Sequence, residues 1–326
     1  MTLNPIVTLR RTMSRFIACL VAAAVLAGCG FAAAPQKSEA AVLVGIGDQD
    51  ASMFNDPLFT QIGFKRARYF PSWNVAQVPQ EATWLDQWLA GAQARGVEPL
   101  ISFFAASGSA CPSKPCKLPT VRQYTKAFKA FRKRWPQVKV ISPWNEANHR
   151  SQPTFKNPKR AAQYYNVVRA NCRGCKIIAA DVIDETNMER WLEVFRKTAK
   201  KPKIWGLHNY RDTNKRKGQL LGGTKRLLKA VKGDIWLTET GGLVKFVLPN
   251  GHTLVPFSES RANRATKRMF ALAKRYRSRI KRLYIYHFMQ STSDNRFDAG
   301  LISNTGQARP AYQTVLNQLA TPAFAP

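Results

Sequence analysis

Eight short apolar runs recur along the chain, and their spacing limits the possible folds more than any other feature of the sequence. They occupy residues 42–46, 68–70, 99–103, 138–141, 176–180, 204–207, 235–238 and 283–286. Polar or aromatic residues follow each run, and helical patterns fill the intervals. Strands that alternate with helices in this way predict a parallel sheet. Eight such units predict an α/β fold, a single (β/α)8 TIM barrel.

The intervals between the runs carry amphipathic patterns of helical period. In the segment 83–94, one apolar face is formed by Trp84, Leu85, Trp88 and Leu89. Asn157 followed by Pro158 predicts a helix that begins at this point. A doubly wound open sheet is the alternative arrangement, but Gly45-Ile46-Gly47-Asp48 after the first run lacks the G-x-G-x-x-G spacing of its phosphate turn. We therefore expect residues 41–326 to form one barrel domain.

The first forty residues are typical of an export signal. Three arginines within residues 10–15 precede the apolar segment 16–27, which is too short to span a membrane. Residues 26–29 resemble a bacterial lipobox in which Cys29 would be lipidated, and cleavage after Ala40 is the rival interpretation. Either way the sequence predicts an extracytoplasmic protein, secreted or anchored to the bacterial envelope as a lipoprotein. Contact with the membrane is expected only through this lipid anchor.

Four cysteines outside the leader form two close pairs. Cys111 lies near Cys116, and Cys172 lies near Cys175. In an exported protein this spacing predicts two local disulfide bonds. A redox-active pair at Cys172 and Cys175 and a zinc site of four cysteines are the alternatives.

The chain is strongly basic, with a formal net charge of +32. Such a charge favours anionic partners, and anionic envelope polymers are possible partners here. A solvated basic surface is the simpler interpretation. The basic runs lack the aromatic interleaving and the binding motifs that indicate nucleic acid, so none is expected.

Two glutamates follow buried runs and carry the strongest indication of function. Glu146 comes just after the fourth run, and Glu239 comes directly after the seventh. A carboxylate at the end of a buried strand is costly to desolvate unless it is paired or used. Because all strand ends of a barrel face one mouth, the two carboxylates should meet there. Paired carboxylates are the equipment for cleaving a glycosidic bond.

Other side chains at the same predicted mouth could bind sugars. Trp73 and Trp144 present aromatic faces of the kind that stack on sugar rings. The acidic residues Asp181, Asp184 and Glu185 after the fifth run are expected to be solvated. No group of histidines and carboxylates has convincing metal-ligand spacing, and no Gly-x-Ser-x-Gly elbow suggests an esterase. The sequence therefore predicts no metal and no cofactor.

The ordered set of motifs resembles the clan-A glycoside hydrolases, which are retaining β-glycosidases with TIM barrels. The matching features are Asn145-Glu146 at the end of strand four, Glu239 at the end of strand seven, an aromatic-rich end of strand six, and the closing segment 299–312. The resemblance covers most of residues 42–320. It implies that Glu146 is the general acid/base and Glu239 the nucleophile.

The same resemblance implies further roles around this pair. Asn145 corresponds to the amide that binds the sugar 2-hydroxyl, Tyr210 to a tyrosine that orients the nucleophile, and Arg68 to an arginine that keeps it ionised. His208 corresponds to a substrate-binding histidine. The tryptophan that many members carry at the end of strand eight is missing here, and Phe288 is the candidate to replace it as the floor under the cleaved sugar.

These observations predict an exported O-glycosyl hydrolase that cleaves a β-linked polysaccharide or oligosaccharide with retention. The mechanism requires Glu146 to be protonated, and we expect burial and the charge of Glu239 to raise its pKa. The alternative is a catalytically silent barrel that binds glycans at the cell envelope. A third possibility is an envelope protein that holds anionic polymers by charge alone.

Overall fold

A computed structural model describes residues 40–290 and 296–326, and its central feature is a closed barrel of parallel strands. The barrel strands are β1 (Val42–Gly47), β2 (Arg66–Tyr69), β3 (Glu98–Ser102), β4 (Val140–Ser142), β5 (Lys176–Ile183), β6 (Ile204–His208), β7 (Asp234–Thr240) and β10 (Ile280–Tyr286). Neighbours in this order are hydrogen-bonded. Strand β10 also pairs in parallel with β1, with Leu43 opposite Arg282 and Gly47 opposite Tyr286. This last pairing closes the ring, so the prediction of a TIM barrel is confirmed and the open sheet is excluded.

Helices follow the strands and form the outer layer. They are α1 (Pro57–Ile62), α2 (Pro79–Ala94), α3 (Val121–Arg134), α4 (Pro158–Asn171), α5 (Met188–Thr198), α6 (Tyr210–Asn214), α7 (Gly223–Ala230), α8 (Glu259–Arg275) and α9 (Pro310–Leu319). Helix α3 begins with a capping box between Thr120 and Gln123. Helix α4 begins at Pro158, as the sequence predicts. One residue of the predicted apolar face of α2 points outward, because Trp84 is 52% exposed whereas Trp88 is fully buried.

The barrel interior and the layer between strands and helices are both apolar. Leu100, Val140, Ile178, Trp236 and Tyr284 form a buried cluster contributed by five different barrel strands. A larger cluster packs the outer faces of the strands against the helices. Strands that are buried on both faces need near-continuous apolar runs, which is why the eight runs were visible in the sequence.

A small antiparallel sheet lies outside the barrel order and was not predicted. It consists of β8 (Lys245–Val247), β9 (Thr253–Val255) and β11 (Phe297–Asp298), in the order β11-β8-β9. Asn250-Gly251 lies between β8 and β9, and this dipeptide is a common hairpin signal that could have revealed the pair. The short strand β12 (Phe324–Ala325) pairs with the start of β1.

Both predicted disulfide bonds are confirmed. Cys111 is bonded to Cys116, and Cys172 is bonded to Cys175. Because the four sulfurs are used in disulfide bonds, they do not form the alternative zinc site. Disulfide bonds are typical of an extracellular protein.

The proposed lipidation site, Cys29, lies outside the described residues together with the rest of the leader up to residue 39. Within residues 40–290 and 296–326, no helix has both the length and the apolar character required to cross a bilayer.

Candidate active site

The barrel brings Glu146 and Glu239 together at the carboxyl ends of the strands. Glu239 is the penultimate residue of β7, and Glu146 follows β4 by four residues. His208, the last residue of β6, lies beside Glu239 in the strand register. Its Nδ1 lies 3.1 Å from Oε1 of Glu146 and 3.7 Å from Oε2 of Glu239. One ligand atom from each of these three side chains lies within 4.8 Å of the other two.

Two side chains hold the carboxylate of Glu239 in one orientation. Arg68 NH1 donates to Oε2 at 2.7 Å, and the Tyr210 hydroxyl donates to Oε1 at 3.0 Å. Arg68 projects from β2, and Tyr210 begins α6 directly beyond β6. Both carboxylate oxygens therefore have a donor, and one of the donors carries a full positive charge.

Arg68 is fully buried and connects several parts of the site. Its Nε donates to Ser102 Oγ at 3.1 Å, and its NH2 donates to Oδ1 of Asn145. The same NH2 lies 3.7 Å from Oδ2 of Asp181. A buried guanidinium with these partners satisfies the condition for keeping a charge inside a protein. The side-chain amide of Asn145 is thereby held next to the two glutamates.

Asp181 is a member of the site that sequence reasoning misplaced. The expectation of a solvated side chain is wrong, because Asp181 is fully buried beneath the site on β5. Its Oδ1 lies 3.3 Å from Nε2 of His208 and accepts a hydrogen bond from Thr238. Burial alone would raise the pKa of Asp181, but the charges of His208 and Arg68 outweigh it and lower the pKa to about 2. The signal available in the sequence was that apolar residues continue beyond Asp181, at Val182 and Ile183, so that β5 extends past the predicted run.

His208 is positively charged in this environment. Burial alone would lower the pKa of His208, but the charges of Glu239 and Asp181 outweigh burial and raise the pKa to about 10. The imidazolium can then donate through Nδ1 to Glu146 and face Asp181 through Nε2. In the resting site His208 is therefore a cation in contact with three carboxylates, those of Glu146, Asp181 and Glu239.

The expectation of a raised pKa for Glu146 is wrong. Burial does raise the pKa of Glu146, but the hydrogen bond and charge of His208, with help from His149 and Arg68, lower it below the usual value. The expected repulsion from Glu239 is compensated by two cations. His208 contacts both carboxylates, and Arg68 contacts that of Glu239. In the resting site the proton is held on His208, and Glu146 is ionised.

The backbone at Glu146 adopts a conformation that side chains rarely take. Its φ is 44°, in the left-handed region that favours glycine. Neighbouring contacts hold this conformation: the Asn145 N–H donates to the Phe103 carbonyl, and the Ala147 N–H donates to the Asp181 carbonyl at 2.9 Å. Backbone strain at a carboxylate of this site is typical of functional residues.

A cavity of about 570 Å³ opens above the two glutamates. Its aromatic walls are formed by Phe70, Phe104, Tyr210, Phe246, Tyr286 and Phe297. Phe246 and Phe297 belong to the small sheet that the sequence did not reveal, and Tyr286 is the last residue of β10. Polar groups including Asn145 and His149 lie among these rings. Aromatic faces combined with a few polar groups are suited to binding sugar rings.

Asp184 lies at the edge of this cavity and is buried rather than solvated as expected. Its Oδ2 accepts hydrogen bonds from the N–H groups of Arg211 and Asp212 at 2.9 and 3.2 Å. Burial, reinforced by the charge of Asp212, raises the pKa of Asp184 to about 7 despite these hydrogen bonds. Glu185, the next residue, is partly exposed and lies 3.5 Å from NH2 of Arg211.

Three of the aromatic residues expected at the mouth do not line this cavity. Trp144 is buried, stacks on Tyr164 at 5.3 Å and donates through Nε1 to Gln152. Trp73 is partly buried and stacks over Tyr124. Phe288 is fully buried against Phe59, so it cannot form the floor under a sugar. Adjacent residues of a strand point to opposite faces, and sequence alone did not show which face each ring takes.

Three side chains, those of Glu146, His208 and Glu239, could in principle hold a metal ion, since one ligand atom of each lies close to the other two. The positive charges already present argue against it. Arg68 lies 2.7 Å from Glu239, and His208 with a pKa of about 10 would have to lose a proton to become a ligand. The residues of this site fit a metal-free arrangement of charges better than a metal centre.

Comparisons with known proteins agree with this geometry. The family model of the glycosyl hydrolase catalytic core matches residues 117–314, a segment that contains Glu146, His208, Tyr210 and Glu239. No curated protein matches the chain in sequence.

Solved structures share the fold at low sequence identity. A family 39 glycoside hydrolase from Bacteroides cellulosilyticus WH2 aligns with a TM-score of 0.58 and 16% identity over 86% of this chain and 64% of that chain. An endo-1,4-beta-xylanase from Caldicellulosiruptor owensensis aligns with a TM-score of 0.60 and 12% identity over 85% of this chain and 97% of that one. A monomeric beta-xylosidase from Caulobacter crescentus CB15 gives a TM-score of 0.58 and 12% identity over 86% and 68% of the two chains.

The family match spans most of the chain and includes both glutamates, and the fold is that of known glycoside hydrolases. Together they confirm the resemblance to the clan-A glycoside hydrolases and the expectation of a glycosidase: the chain belongs to the glycosyl hydrolase catalytic core family.

Proposed function

We propose that this protein is a retaining glycoside hydrolase that cleaves a β-linked glycan by double displacement, with Glu239 as nucleophile and Glu146 as general acid/base. The observation that carries the proposal is the short distance between the two carboxylates. One oxygen of Glu146 and one oxygen of Glu239 lie within 4.8 Å of each other. Retaining enzymes place their carboxyl groups about 5–5.5 Å apart, whereas inverting enzymes leave about 6.5–9.5 Å for a water molecule.

Glu239 has the environment of a nucleophile. Arg68 and Tyr210 each donate a hydrogen bond to one of its oxygens, which holds the carboxylate in one orientation. In the first step an oxygen of Glu239 attacks the anomeric carbon, and the bond from that carbon to the leaving oxygen breaks. A covalent glycosyl-enzyme forms with inverted configuration at the anomeric carbon.

Glu146 must supply a proton to the leaving oxygen in that step. Because Glu146 is ionised in the resting site, it must first take up a proton, and the nearest source is His208 Nδ1 at 3.1 Å. Substrate binding excludes water from Glu146, which favours the neutral carboxylic acid and hence this transfer. In the second step Glu146 removes a proton from water, and the oxygen of that water attacks the anomeric carbon and releases Glu239.

The substrate class we infer is a glycan with β-linked sugars. The aromatic walls and the 570 Å³ cavity support a site for sugar rings. Proteins of similar fold bear the names xylanase, beta-xylosidase and beta-glucosidase, so β-xylosides and β-glucosides are the first substrates to test.

We further propose that residues 1–40 direct export, that residues 41–326 are the catalytic domain, and that Cys29 or a cut after Ala40 defines the mature N-terminus. The two disulfide bonds support an oxidising compartment. Anionic envelope polymers remain candidate partners because the chain is strongly basic.

A silent glycan-binding barrel is the second candidate. The ionised resting state of Glu146 favours it, since a general acid without its proton cannot assist a leaving group. The two proposals make different predictions for hydrolysis and share the prediction of glycan binding.

The deciding experiment measures hydrolysis of β-xylans, β-glucans, β-mannans and aryl β-glycosides by the exported domain. Glu239→Gln should abolish turnover of every substrate. Glu146→Gln should abolish turnover of glycans but retain part of the first step on aryl glycosides, whose leaving groups need little protonation. Glu189→Gln, on α5 and outside the cavity, is the matched control.

The stereochemistry of the first product, followed by NMR of the anomeric proton, tests the retaining mechanism. Retention supports the double displacement, and inversion would refute it. Turnover that survives in both glutamine variants would refute the site assignment. Glycan binding without turnover would establish the silent barrel.

A further inference from the structure

A second cavity of about 210 Å³ adjoins the cavity above the glutamates. Its walls include Tyr69, Phe70, Ser72, Glu81, Trp84 and Phe104. Phe70 and Phe104 also line the first cavity. Their rings are 6.0 Å apart, and both side chains are partly exposed. The two cavities therefore meet at one pair of aromatic rings.

This aromatic pair lies close to the reacting groups. The guanidinium carbon of Arg68 is 5.3 Å from the centre of the Phe70 ring, and the same guanidinium binds Glu239 at 2.7 Å. Two contacts thus connect the nucleophile with the edge of the second cavity. A glycan chain bound over Glu239 has only to continue across Phe70 and Phe104 to enter it.

Trp84 is the feature of the second cavity that general packing does not explain. It is 52% exposed, although it belongs to the same helix as the fully buried Trp88. A large exposed aromatic ring beside a concavity is typical of a binding surface. Glu81 lies one helical turn earlier on the same face, so its carboxylate and the Trp84 ring border one space.

Polar groups in the second cavity match sugar hydroxyls. Ser72 donates through its hydroxyl to Glu81 Oε2, and Ser107 also lines the cavity. This hydrogen bond fixes the carboxylate beside the aromatic ring. An indole face with a fixed carboxylate and hydroxyls can stack on a pyranose ring and accept hydrogen bonds from it.

We propose that the Trp84 cavity is an outer sugar-binding subsite, continuous with the active cleft across Phe70 and Phe104. This inference rests on the proposed function, since the sugars in the Trp84 cavity are taken to continue the glycan bound above the two glutamates. The two cavities together then hold several consecutive sugars of one chain. The protein acts on glycan chains rather than on disaccharides, and each catalytic event gains from contacts remote from the cleaved bond.

The test compares glycan chains of increasing length. Xylo-, cello-, laminari- and manno-oligosaccharide ladders are supplied to the wild type and to Trp84→Ala. Wild-type kcat/KM should rise with chain length, and Trp84→Ala should lose about tenfold on the longest chains, with the loss vanishing as the chain shortens. Trp84→Phe should recover part of the effect because it retains an aromatic face.

Binding is measured separately in the Glu239→Gln background by calorimetry with the same ladders. Phe257→Ala is the control, since Phe257 is 62% exposed and lies outside the walls of both cavities. Chain-length-dependent binding that Trp84→Ala removes supports the subsite even where no hydrolysis occurs, so the two proposals fail separately. Equal behaviour of Trp84→Ala and the wild type at every length, or an equal loss for short and long chains, would overturn the subsite.

Discussion

Arg68 and Glu239 form a buried ion pair across the mouth of the barrel, with 2.7 Å between NH1 and Oε2. The two residues are 171 positions apart in sequence and lie on β2 and β7. The arginine side chain is fully buried, and that of Glu239 is 10% exposed. This pair is the electrostatic centre of the site, because it ties the proposed nucleophile to Asn145, Ser102 and Asp181.

Replacing Arg68 should destabilise the fold as well as the activity. Arg68→Gln removes one of the two buried cations beside Glu239 and Asp181, the other being His208. Loss of one partner from a buried pair costs about 3–5 kcal/mol of unfolding free energy. Urea denaturation measures the change. Arg134→Gln removes an ion pair with Asp86 whose side chains are both more than 40% exposed, and it should cost less than about 1 kcal/mol. Equal losses in the two variants would contradict the role of Arg68.

Removing the Tyr210 hydroxyl tests the second contact of Glu239. Tyr210→Phe loses a 3.0 Å hydrogen bond to a charged group, which contributes about 1.5–3 kcal/mol. We expect kcat to fall roughly tenfold to hundredfold, with a smaller change in KM. Tyr312→Phe is the matched control, because that hydroxyl contacts Leu58 and Gln61 away from the cleft. An unchanged kcat in Tyr210→Phe would show that the hydroxyl does not orient the nucleophile.

The left-handed backbone of Glu146 predicts an unusual order of stabilities. Both Glu146→Ala and Glu146→Gly remove the carboxylate, but only glycine adopts a φ of 44° without strain. The glycine variant should therefore be more stable than the alanine variant by about 1 kcal/mol. At the neighbouring Ala147, whose φ is not positive, glycine should instead destabilise the protein. Thermal or chemical denaturation of the wild type and of the variants Glu146→Ala, Glu146→Gly and Ala147→Gly measures these stabilities. A Glu146→Ala variant more stable than Glu146→Gly would contradict the prediction.

His208 should control the titration of Glu146. Burial raises the pKa of Glu146, and His208 is the main group that lowers it. In His208→Asn the lowering is lost while the burial remains, so the pKa of Glu146 should rise. In the wild type the acid proton rests on His208, whose pKa is about 10, so the alkaline limb of the kcat/KM profile should move to lower pH once that imidazole is gone. An alkaline limb that stays at its wild-type position in His208→Asn would show that His208 does not carry the acid proton in the resting site.

Asp184 makes stability depend on pH in a direction opposite to that of a salt-bridged carboxylate. Burial raises its pKa from 3.8 to about 7, so the folded protein keeps a proton that the unfolded chain loses. The stabilisation is complete below pH 3.8 and is lost as pH rises to about 7.

Asp184→Asn keeps the shape of the side chain without this titration. The free energy of unfolding of the wild type should fall relative to this variant by about 1.4 kcal/mol per pH unit within that range. Urea denaturation at several pH values measures the difference. A constant difference across the range would contradict the raised pKa.

The order of the strands and the positions of the two glutamates were predictable from the sequence. The eight apolar runs correspond to the eight barrel strands, and parallel order sends every strand end to one mouth. Glu146 and Glu239 could thus be brought together without any knowledge of distances. The two disulfides were predictable for a similar reason, because only three and five positions separate their cysteines.

The directions of individual side chains were not predictable in this way. Trp144 and Phe288 point into the core, while Trp84 points to solvent, although all three lie in apolar or aromatic patterns. Each choice depends on what packs against the ring from distant parts of the chain, such as Tyr164 beneath Trp144 and Phe59 beside Phe288.

The sequence by itself determined the barrel, the mouth and the two carboxylates, because periodicity and strand order are local properties that repeat along the chain. The tertiary structure alone decided the charges within the site. Glu146 is 62 positions from His208, and their 3.1 Å contact reverses the effect of burial on the pKa of the glutamate. Electrostatic energies depend on distances between groups that are remote in sequence, and only the folded chain sets those distances.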